Sequence, residues 1–279
     1  MTTDGKRTAV VGGGRMGTGI AHALLLSGAS VVIVDSDEDR VGNALAAVRR
    51  MITRSASKNP NVDAEALSAR LTGATGPDGK FDLVVEAVPE IPEIKTAVLG
   101  LWQSHVAPQG LLATNTSSIS IDALAADLDE PERFVGMHFF NPVPVSSLVE
   151  VVRGAATTDG VVADAAAWVE AMDKTGIVVR DSPGFASSRL GVAIGLEAIR
   201  MVEEGVASAE DIDAAMVLGY KFPIGPLKLT DIVGLDVRLG IAEYLASALG
   251  PRFEPPQLMR DMVEEGKLGQ KSGQGFYAW

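Results

Sequence analysis

The chain has 279 residues, no cysteine and a formal net charge of −12, and its length suggests one large or two medium domains. With 30 glycines, 47% hydrophobic residues and only 5% aromatic ones, an α/β fold is favoured over a β-sandwich. The lack of cysteine excludes disulfides, thiolate zinc sites and a cysteine nucleophile, and the acidity argues against nucleic acid as a main partner, because phosphate contacts need a basic face.

The N-terminal segment leads directly into a predicted strand and lacks the charged-then-apolar pattern of a secretion signal. No stretch approaches the roughly 18 consecutive apolar residues of a membrane span. We therefore expect a soluble, cytoplasmic protein with no membrane partner.

Strand-like and helix-like segments alternate through the first half of the chain. An apolar run at residues 8–12 precedes a helical pattern that should stop near Ser27 and Gly28, and residues 30–35 are typical of a strand buried on both faces. A long helix is predicted from about residue 37 to residue 58. Further strands are predicted at residues 81–88, 111–114 and 134–140. This alternation predicts a parallel sheet with helices on both faces.

After about residue 181 the strand-like runs disappear. Ser208 and Asp211 have the spacing of a capping box that starts a helix. Helices are predicted for residues 184–206, 208–218, 227–249 and 255–265. We therefore expect two domains, an α/β domain over residues 1–183 and an all-helical domain over residues 184–279.

Residues 12–17 match the pattern G-x-G-x-x-G directly after a strand and at the start of a helix. The first glycine permits a tight turn, the second lets a pyrophosphate approach the backbone, and the third lets helix and strand pack closely. The helix N-terminus offers free N–H groups to the phosphates. The first domain is thus predicted to be a Rossmann-type dinucleotide-binding domain. Its predicted cofactor contacts here are Gly12, Gly14, Met16 and Gly17.

Asp35 ends the second predicted strand, 18 residues after Gly17. A carboxylate at this place hydrogen-bonds the adenosine ribose hydroxyls and repels a 2′-phosphate, so NAD is favoured over NADP. FAD, which uses the same fingerprint, is a competitor. The alternative interpretation of the motif is a glycine-rich turn that binds no ligand.

The chain contains three histidines. His22, in the helix after the fingerprint, is interpreted as a packing or surface residue. His105 is interpreted as structural, because it lies near a helix C-terminus where a cation suits the dipole. His138 is different, because its apolar run is followed by a proline-rich turn and a second run at residues 147–153.

Two such runs around a turn predict an antiparallel hairpin. Positions 138 and 150 have their midpoint at residue 144, inside the turn, so His138 should face Glu150 with about 5 Å between their Cβ atoms. A carboxylate there would fix the tautomer of the imidazole and stabilise the imidazolium formed on proton abstraction. The alternative is a strand histidine beside a solvated glutamate.

Motifs along almost the whole chain resemble the 3-hydroxyacyl-CoA dehydrogenase family, in particular its short bacterial 3-hydroxybutyryl-CoA dehydrogenases. They are VGGGRMGTGIA at residues 11–21, NTSSI at 115–119, HFFNPVP at 138–144, LVEV at 148–151, DSPGF at 181–185, EGVASAEDID at 204–213, GPL at 225–227 and GQKSGQGFY at 269–277. The resemblance implies NAD-dependent oxidation of an (S)-3-hydroxyacyl-CoA, of short chain, to the 3-oxoacyl-CoA, or the reverse, in fatty acid β-oxidation. It also implies a homodimer formed through the helical domain.

The resemblance implies catalytic roles residue by residue. His138 would take the proton of the 3-hydroxyl group, with Glu150 as its orienting partner. Ser117 would hydrogen-bond the reacting oxygen, and Asn141 would help to position the thioester.

The resemblance further implies cofactor contacts outside the glycine-rich loop. Asn115 would lie close to the nicotinamide. Glu90 and Lys95 match residues that line the cofactor cleft in the family.

Ser188 departs from the family pattern, which reads G-F-x-x-N-R after the Ser-Pro and uses the asparagine in substrate positioning and catalysis. A serine donates one hydrogen bond but has a shorter reach than an amide. If the contact acts on the transition state, its loss would cost about 2–4 kcal/mol. A catalytically weakened nucleotide-binding paralogue is therefore one alternative, and a dehydrogenase of a non-CoA hydroxy acid, of the sugar-acid type, is another.

Coenzyme A is anionic, so its binding to this acidic chain requires a local basic surface. Arg50, Arg54 and Lys58 recur every four residues on the predicted long helix, with Arg49 adjacent, and so form one helical stripe. In the family the adenine and 3′-phosphate of coenzyme A contact this helix, and Lys58 matches a lysine there. The alternative is a solvated basic helix end.

No metal site is expected. Three scattered histidines, no cysteine and no carboxylate cluster do not make a ligand set.

Overall fold

The computed structural model describes residues 2–279, and the chain divides into two compact units. The first unit runs to Asp181, and the second comprises Ser182–Trp279.

The first unit is an α/β domain. Its strands are β1 (Arg7–Val11), β2 (Ser30–Val34), β3 (Leu71–Ala74), β4 (Phe81–Glu86), β5 (Val106–Thr114), β6 (Phe134–Phe139), β7 (Leu148–Arg153) and β8 (Thr175–Arg180). Its helices are α1 (Arg15–Leu26), α2 (Glu38–Lys58), α3 (Ala64–Ala69), α4 (Pro92–Trp102), α5 (Ile121–Ala125) and α6 (Asp159–Ala171).

The eight strands form one sheet in the order β3-β2-β1-β4-β5-β6-β7-β8. All neighbours are parallel except β6 and β7, which pair antiparallel. This sheet confirms the predicted Rossmann-type architecture. Because the strands are parallel, the carboxyl ends of β1, β2, β4 and β5 meet at one edge, where such folds bind their ligands.

The sequence patterns missed two strands and misplaced two strand ends. β3 has only four residues, too few for a periodic signal, and β8 is a mostly exposed strand at the sheet edge with a short apolar run. β5 begins at Val106 rather than at residue 111, and β4 ends at Glu86 rather than at residue 88.

The core of the first unit explains why its long helices form. In α2 the buried residues Val41, Ala44, Val48 and Ile52 recur every three or four positions and so make one apolar face. Asp37 caps the N-terminus of the helix, because its side chain accepts a hydrogen bond from the Arg40 backbone N–H. Each fully buried aliphatic side chain contributes about 1.5–3 kcal/mol relative to exposure.

The second unit is helical, as predicted. It contains α7 (Ser187–Glu203), α8 (Ala209–Ala214), α9 (Pro226–Val233), α10 (Leu235–Leu249) and α11 (Gln257–Glu264), and Ala215–Gly219 continues α8 as a π-helical turn. The predicted helix start at Ser208 is present, since the Ser208 hydroxyl accepts from the Asp211 backbone N–H and donates to the Asp211 carboxylate.

The prediction of one continuous helix over residues 227–249 is wrong. Residues 227–249 form two helices and not one, because Gly234 adopts a φ of +105° that ends α9 and starts α10.

Two buried carboxylates anchor the C-terminus within the second unit. Asp231 accepts hydrogen bonds from the Phe276 and Tyr277 backbone N–H groups and from the Trp279 indole. Asp213 accepts from the Tyr277 hydroxyl at 2.8 Å. Burial and the Asp213 carboxylate together raise the pKa of Tyr277. The GQGFYAW terminus is therefore an integral part of the helical unit.

Among residues 2–279, no helix has the length and apolar character needed to cross a bilayer. The same residues contain no group of three or more histidine, aspartate or glutamate side chains able to hold a metal ion.

His22 on α1 generates a prediction about stability. Its ring is buried, with Nε2 3.0 Å from the Ser55 hydroxyl of α2. Burial, with a smaller effect of Lys174, lowers the pKa of His22 below its ordinary value. The unfolded chain therefore binds a proton at this ring at a higher pH than the folded chain does, so acidification favours unfolding.

We predict that the free energy of unfolding falls as the pH drops below about 6.5, the ordinary histidine value. A single group contributes at most about 1.4 kcal/mol per pH unit. Urea unfolding at pH 7.5 and 5.5 measures the loss, and it should be smaller in His22→Gln. An equal loss in both proteins would contradict the assignment.

Candidate active site

The fingerprint loop connects β1 to α1. At two of its glycines there is no room for a side chain. Gly12 has a φ of +112°, and a Cβ there would lie 2.5 Å from the Ala87 carbonyl oxygen. A Cβ on Gly17 would lie 1.8 Å from the Gly12 carbonyl oxygen. At Gly14, the residue that caps α1, a Cβ would meet nothing within 4 Å. The helix N-terminus is thus open to a phosphate group, as the fingerprint predicts.

Met16 and Asp35 flank this loop. Met16 is partly buried against the core of the first unit. Asp35, just after β2, accepts from the Gly13 backbone N–H through Oδ2 at 2.8 Å and from the Ser36 backbone N–H through Oδ1 at 2.7 Å. Its carboxylate therefore stands beside Gly13, between the first two glycines of the fingerprint, at the place expected for a ribose contact.

The hairpin of β6 and β7 brings His138 and Glu150 directly opposite each other. Nδ1 of His138 lies 2.7 Å from Oε2 of Glu150, and the two residues are 5% and 0% exposed. Since a carboxylate only accepts, Nδ1 carries the proton and the lone pair of the neutral ring is on Nε2. The predicted geometry of this pair is present in the structure.

Asn115 follows β5 and ties it to β6. Its Oδ1 accepts from the Phe139 backbone N–H at 2.9 Å, next to His138, and its own N–H donates to the Glu86 carbonyl. The amide is buried. Asn115 is therefore held close to the β6–β7 hairpin.

Ser117 lies in the turn after β5, and Glu90 organises that turn. Oε1 of Glu90 accepts from the Thr116 hydroxyl at 2.6 Å and from the backbone N–H groups of Ser117 at 2.8 Å and Ser118 at 3.3 Å. Oε2 of Glu90 lies 3.2 Å from the ammonium of Lys95. Glu90 and Lys95, predicted as cofactor contacts, thus belong to one cluster with Ser117, predicted as a substrate contact.

Two further residues of this region were not predicted from the sequence. Glu86 is completely buried at the end of β4 and pairs with Lys95 at 2.9 Å. Its only signal in the sequence is an acidic residue that ends an apolar strand. Lys174 donates to the carbonyls of Val143 at 2.7 Å and Ser146 at 2.6 Å in the hairpin turn. Burial lowers the pKa of Lys174, and no sequence pattern marks it.

The remaining predicted residues lie elsewhere in the chain. Asn141 is exposed at the start of the hairpin turn. Arg50, Arg54 and Lys58 are exposed on α2, and none of them makes an ion pair within residues 2–279. Ser188 is partly buried in the first turn of α7, in the second unit.

Comparison with known proteins identifies the family of this fold and hairpin. The family model for the NAD-binding domain of 3-hydroxyacyl-CoA dehydrogenase matches residues 7–182, and the model for the C-terminal domain matches residues 184–279. The chain belongs to the 3-hydroxyacyl-CoA dehydrogenase family. It is an NAD-dependent oxidoreductase of that family, and the predicted cofactor is thereby confirmed.

Individual relatives agree over nearly their full length. A probable 3-hydroxybutyryl-CoA dehydrogenase of Deinococcus radiodurans is 41% identical over 97% of this chain and 99% of its own. The 3-hydroxybutyryl-CoA dehydrogenase of Bradyrhizobium diazoefficiens is 40% identical over 98% of this chain and 94% of its own. The crystal structure of (S)-3-hydroxybutyryl-CoA dehydrogenase from Ralstonia eutropha matches with a TM-score of 0.93 at 40% identity, over 98% and 99% of the two chains. These similarities do not favour the sugar-acid alternative.

Proposed function

We propose that this 3-hydroxyacyl-CoA dehydrogenase acts on short-chain (S)-3-hydroxyacyl-CoA substrates such as 3-hydroxybutyryl-CoA, with His138 as the catalytic base. The buried 2.7 Å contact between His138 and Glu150 is the observation that carries the assignment of the base. The names of the relatives support the short acyl chain.

The residues present fit a dinucleotide. The open N-terminus of α1 at Gly14 would receive the pyrophosphate, and Asp35 would accept hydrogen bonds from the adenosine ribose. Bound NAD supplies the nicotinamide C4 that accepts the hydride from C3 of the substrate, or donates it in the reverse reaction. Asn115, held beside the hairpin, would border the nicotinamide.

The chemistry of this chain is a proton transfer. Nε2 of His138 takes the proton of the 3-hydroxyl group as the hydride leaves C3, so the alcohol becomes a ketone and the ring becomes an imidazolium. Glu150 stabilises that cation through Nδ1, and its complete burial strengthens the interaction. Ser117 would donate a hydrogen bond to the reacting oxygen, and Asn141 would position the thioester carbonyl.

Ser188 would occupy the place of the family's substrate-positioning asparagine. A hydroxyl can donate one hydrogen bond from the first turn of α7 but lacks the second group of an amide. We therefore assign Ser188 a weaker positioning role for the same substrate class.

Replacement of His138 by glutamine tests the proposed base. General-base catalysis contributes about 10²–10⁴-fold, so kcat for (S)-3-hydroxybutyryl-CoA should fall by that factor while the Kd for NAD⁺ stays unchanged. The matched control is His105→Gln, whose ring contacts the Gly79 carbonyl at the other end of β4. Retention of wild-type kcat in His138→Gln would refute the assignment.

We assign the coenzyme A nucleotide to the exposed basic stripe on α2 formed by Arg50, Arg54 and Lys58. The stripe is a local exception on a chain of net charge −12 and has no acidic partner within residues 2–279. A 3′-phosphate interacts favourably with cations spaced by one helical turn.

Reversal of charge at Arg54 and Lys58 together tests this subsite. The KM for a CoA thioester should rise by tenfold or more, while the KM for the corresponding pantetheine thioester, which has no 3′-phosphate, should stay near the wild-type value. Steady-state kinetics with both substrates measure the difference. Equal increases would contradict the subsite.

A homodimer formed through the helical unit stays a prediction, as does the cytoplasmic location. Apolar side chains on three helices of that unit support the dimer, because exposed apolar patches mark association surfaces. They are Leu190 and Ile194 on α7, Ile232 and Val233 on α9, and Val237 on α10. Sedimentation equilibrium distinguishes a dimer from a monomer.

A further inference from the structure

The turn that joins β6 to β7 is held from two sides by residues that have no part in the proton transfer. We propose that Gly19 on α1 and Lys174 before β8 form a clamp on this turn (residues 140–147), the turn clamp, and that both are positioning residues for the thioester substrate. The proposal rests on the proposed function, because it takes Asn141, at the start of the turn, as a contact to the thioester.

Lys174 holds the turn by its backbone carbonyls. The ammonium donates to the Val143 carbonyl at 2.7 Å and to the Ser146 carbonyl at 2.6 Å. Within residues 2–279 it makes no ion pair with a carboxylate. Hydrogen bonds from a charged donor are about twice as strong as those between neutral groups. Lys174 therefore ties residues 143 and 146 to one point.

The backbone around Lys174 is itself fixed on both sides. Asp173, which follows α6, adopts a φ of +56°, and this left-handed conformation turns the chain from the helix towards β8. The Lys174 N–H then donates to the Val169 carbonyl of α6 at 3.2 Å. The next N–H, of Thr175, donates to the Ser147 carbonyl at 2.6 Å. Lys174 therefore lies in a rigid connection directly beside the end of the turn.

The turn is poor in backbone donors, which explains its need for a side-chain donor. Pro142 and Pro144 have no N–H. The N–H groups of Val145 and Ser146 both donate to the Pro142 carbonyl, at 2.9 and 3.0 Å. Neither carbonyl held by Lys174 receives a backbone N–H from the described part of the chain. Without Lys174 the two carbonyls would depend on water alone, and the turn would lose its link to the sheet edge.

Gly19 holds the turn from the side of α1. It follows the G-x-G-x-x-G fingerprint and is not required by it. A Cβ on Gly19 would lie 2.8 Å from Cβ and 3.0 Å from Cγ2 of Val143, which is 2% exposed and belongs to the hydrophobic core. A glycine inside a helix is unfavourable by itself, so close packing against the turn gives a reason for it. The turn is thereby packed directly onto the helix whose N-terminus would bind the pyrophosphate.

The clamp acts on the turn and not on the catalytic pair. His138 is held by its register with Glu150 inside the sheet. Asn141 lies beyond the end of β6 and only two residues before Val143, which both parts of the clamp contact. Loss of the clamp should therefore weaken binding of the thioester and leave the proton transfer of the bound substrate almost unchanged.

Replacement of Lys174 by methionine, which keeps the length of the side chain but not its donors, tests the clamp. The KM for (S)-3-hydroxybutyryl-CoA should rise about tenfold or more, as expected for the loss of hydrogen bonds from a charged group. The kcat should stay within about threefold of wild type, because His138 keeps its partner. Lys174→Arg, which retains charged donors, should recover most of the lost affinity.

The matched control is Lys80→Met. Lys80 lies just before β4 and donates to the Ser104 carbonyl, so it is also a lysine that binds the backbone, but at the opposite end of that strand from Glu86. Its loss should leave the KM unchanged. A wild-type KM in Lys174→Met would overturn the proposal. So would a lowered kcat with an unchanged KM, because that result would make Lys174 a residue of general stability.

Replacement of Gly19 by alanine tests the other side of the clamp. The added methyl group should push Val143 and the turn away from α1, so the KM for the thioester should rise. The matched control is Gly100→Ala on α4, where a Cβ would meet nothing within 4 Å and the KM should not change. A folded Gly19→Ala variant with a wild-type KM would refute the role of Gly19. Lys174→Met adds no volume and tests the clamp independently if Gly19→Ala does not fold.

Hydrogen exchange of the free enzyme separates this proposal from the proposed function. In Lys174→Met, residues 140–147 should exchange faster than in wild type and in Lys80→Met, whereas β6 and β7 should keep their protection. Unchanged exchange in the turn would overturn the clamp even if the enzyme is active. Failure of the wild-type chain to oxidise any 3-hydroxyacyl-CoA would instead overturn the proposed function.

Discussion

The antiparallel pairing of β6 with β7 is the constraint on which the site depends. In an otherwise parallel sheet, this one hairpin places His138 and Glu150 opposite each other with 2.7 Å between Nδ1 and Oε2. A parallel strand at this position would need a crossover connection and would not bring residues twelve apart into register. The turn itself is held by Lys174, which donates to two of its carbonyls.

The parallel part of the sheet positions the residues proposed to border the cofactor. β1, β4 and β5 end next to one another, so the Gly12 turn, Glu86 and Asn115 follow at the same edge. Backbone bonds join these ends directly, since Ala87 donates to Val11 and Asn115 donates to Glu86. The glycine-rich loop, the Ser117 turn and the hairpin are thus held by adjacent strands. Binding of a dinucleotide and placement of the His138–Glu150 pair therefore depend on one sheet.

Local sequence patterns were enough to predict the parts of the site that are formed by residues close together in the chain. The fingerprint predicted the turn at Gly12, and the symmetry about residue 144 predicted the His138–Glu150 pair. Contacts between distant segments were beyond such patterns: Glu86 meets Lys95 and Thr114 only because β4, β5 and α4 pack together. The break at Gly234 was also missed, because a glycine within an apolar helical pattern is commonly tolerated and only the backbone shows its positive φ.

The most direct test of the account is NADH formation by the wild-type chain with the two enantiomers of 3-hydroxybutyryl-CoA. Because His138 is fixed in one position on the hairpin, the enzyme should oxidise the (S)-thioester and not the (R)-thioester. NAD⁺ should be preferred over NADP⁺ because of Asp35. Oxidation of a sugar acid in place of the (S)-thioester, or no thioester oxidation at all, would contradict it.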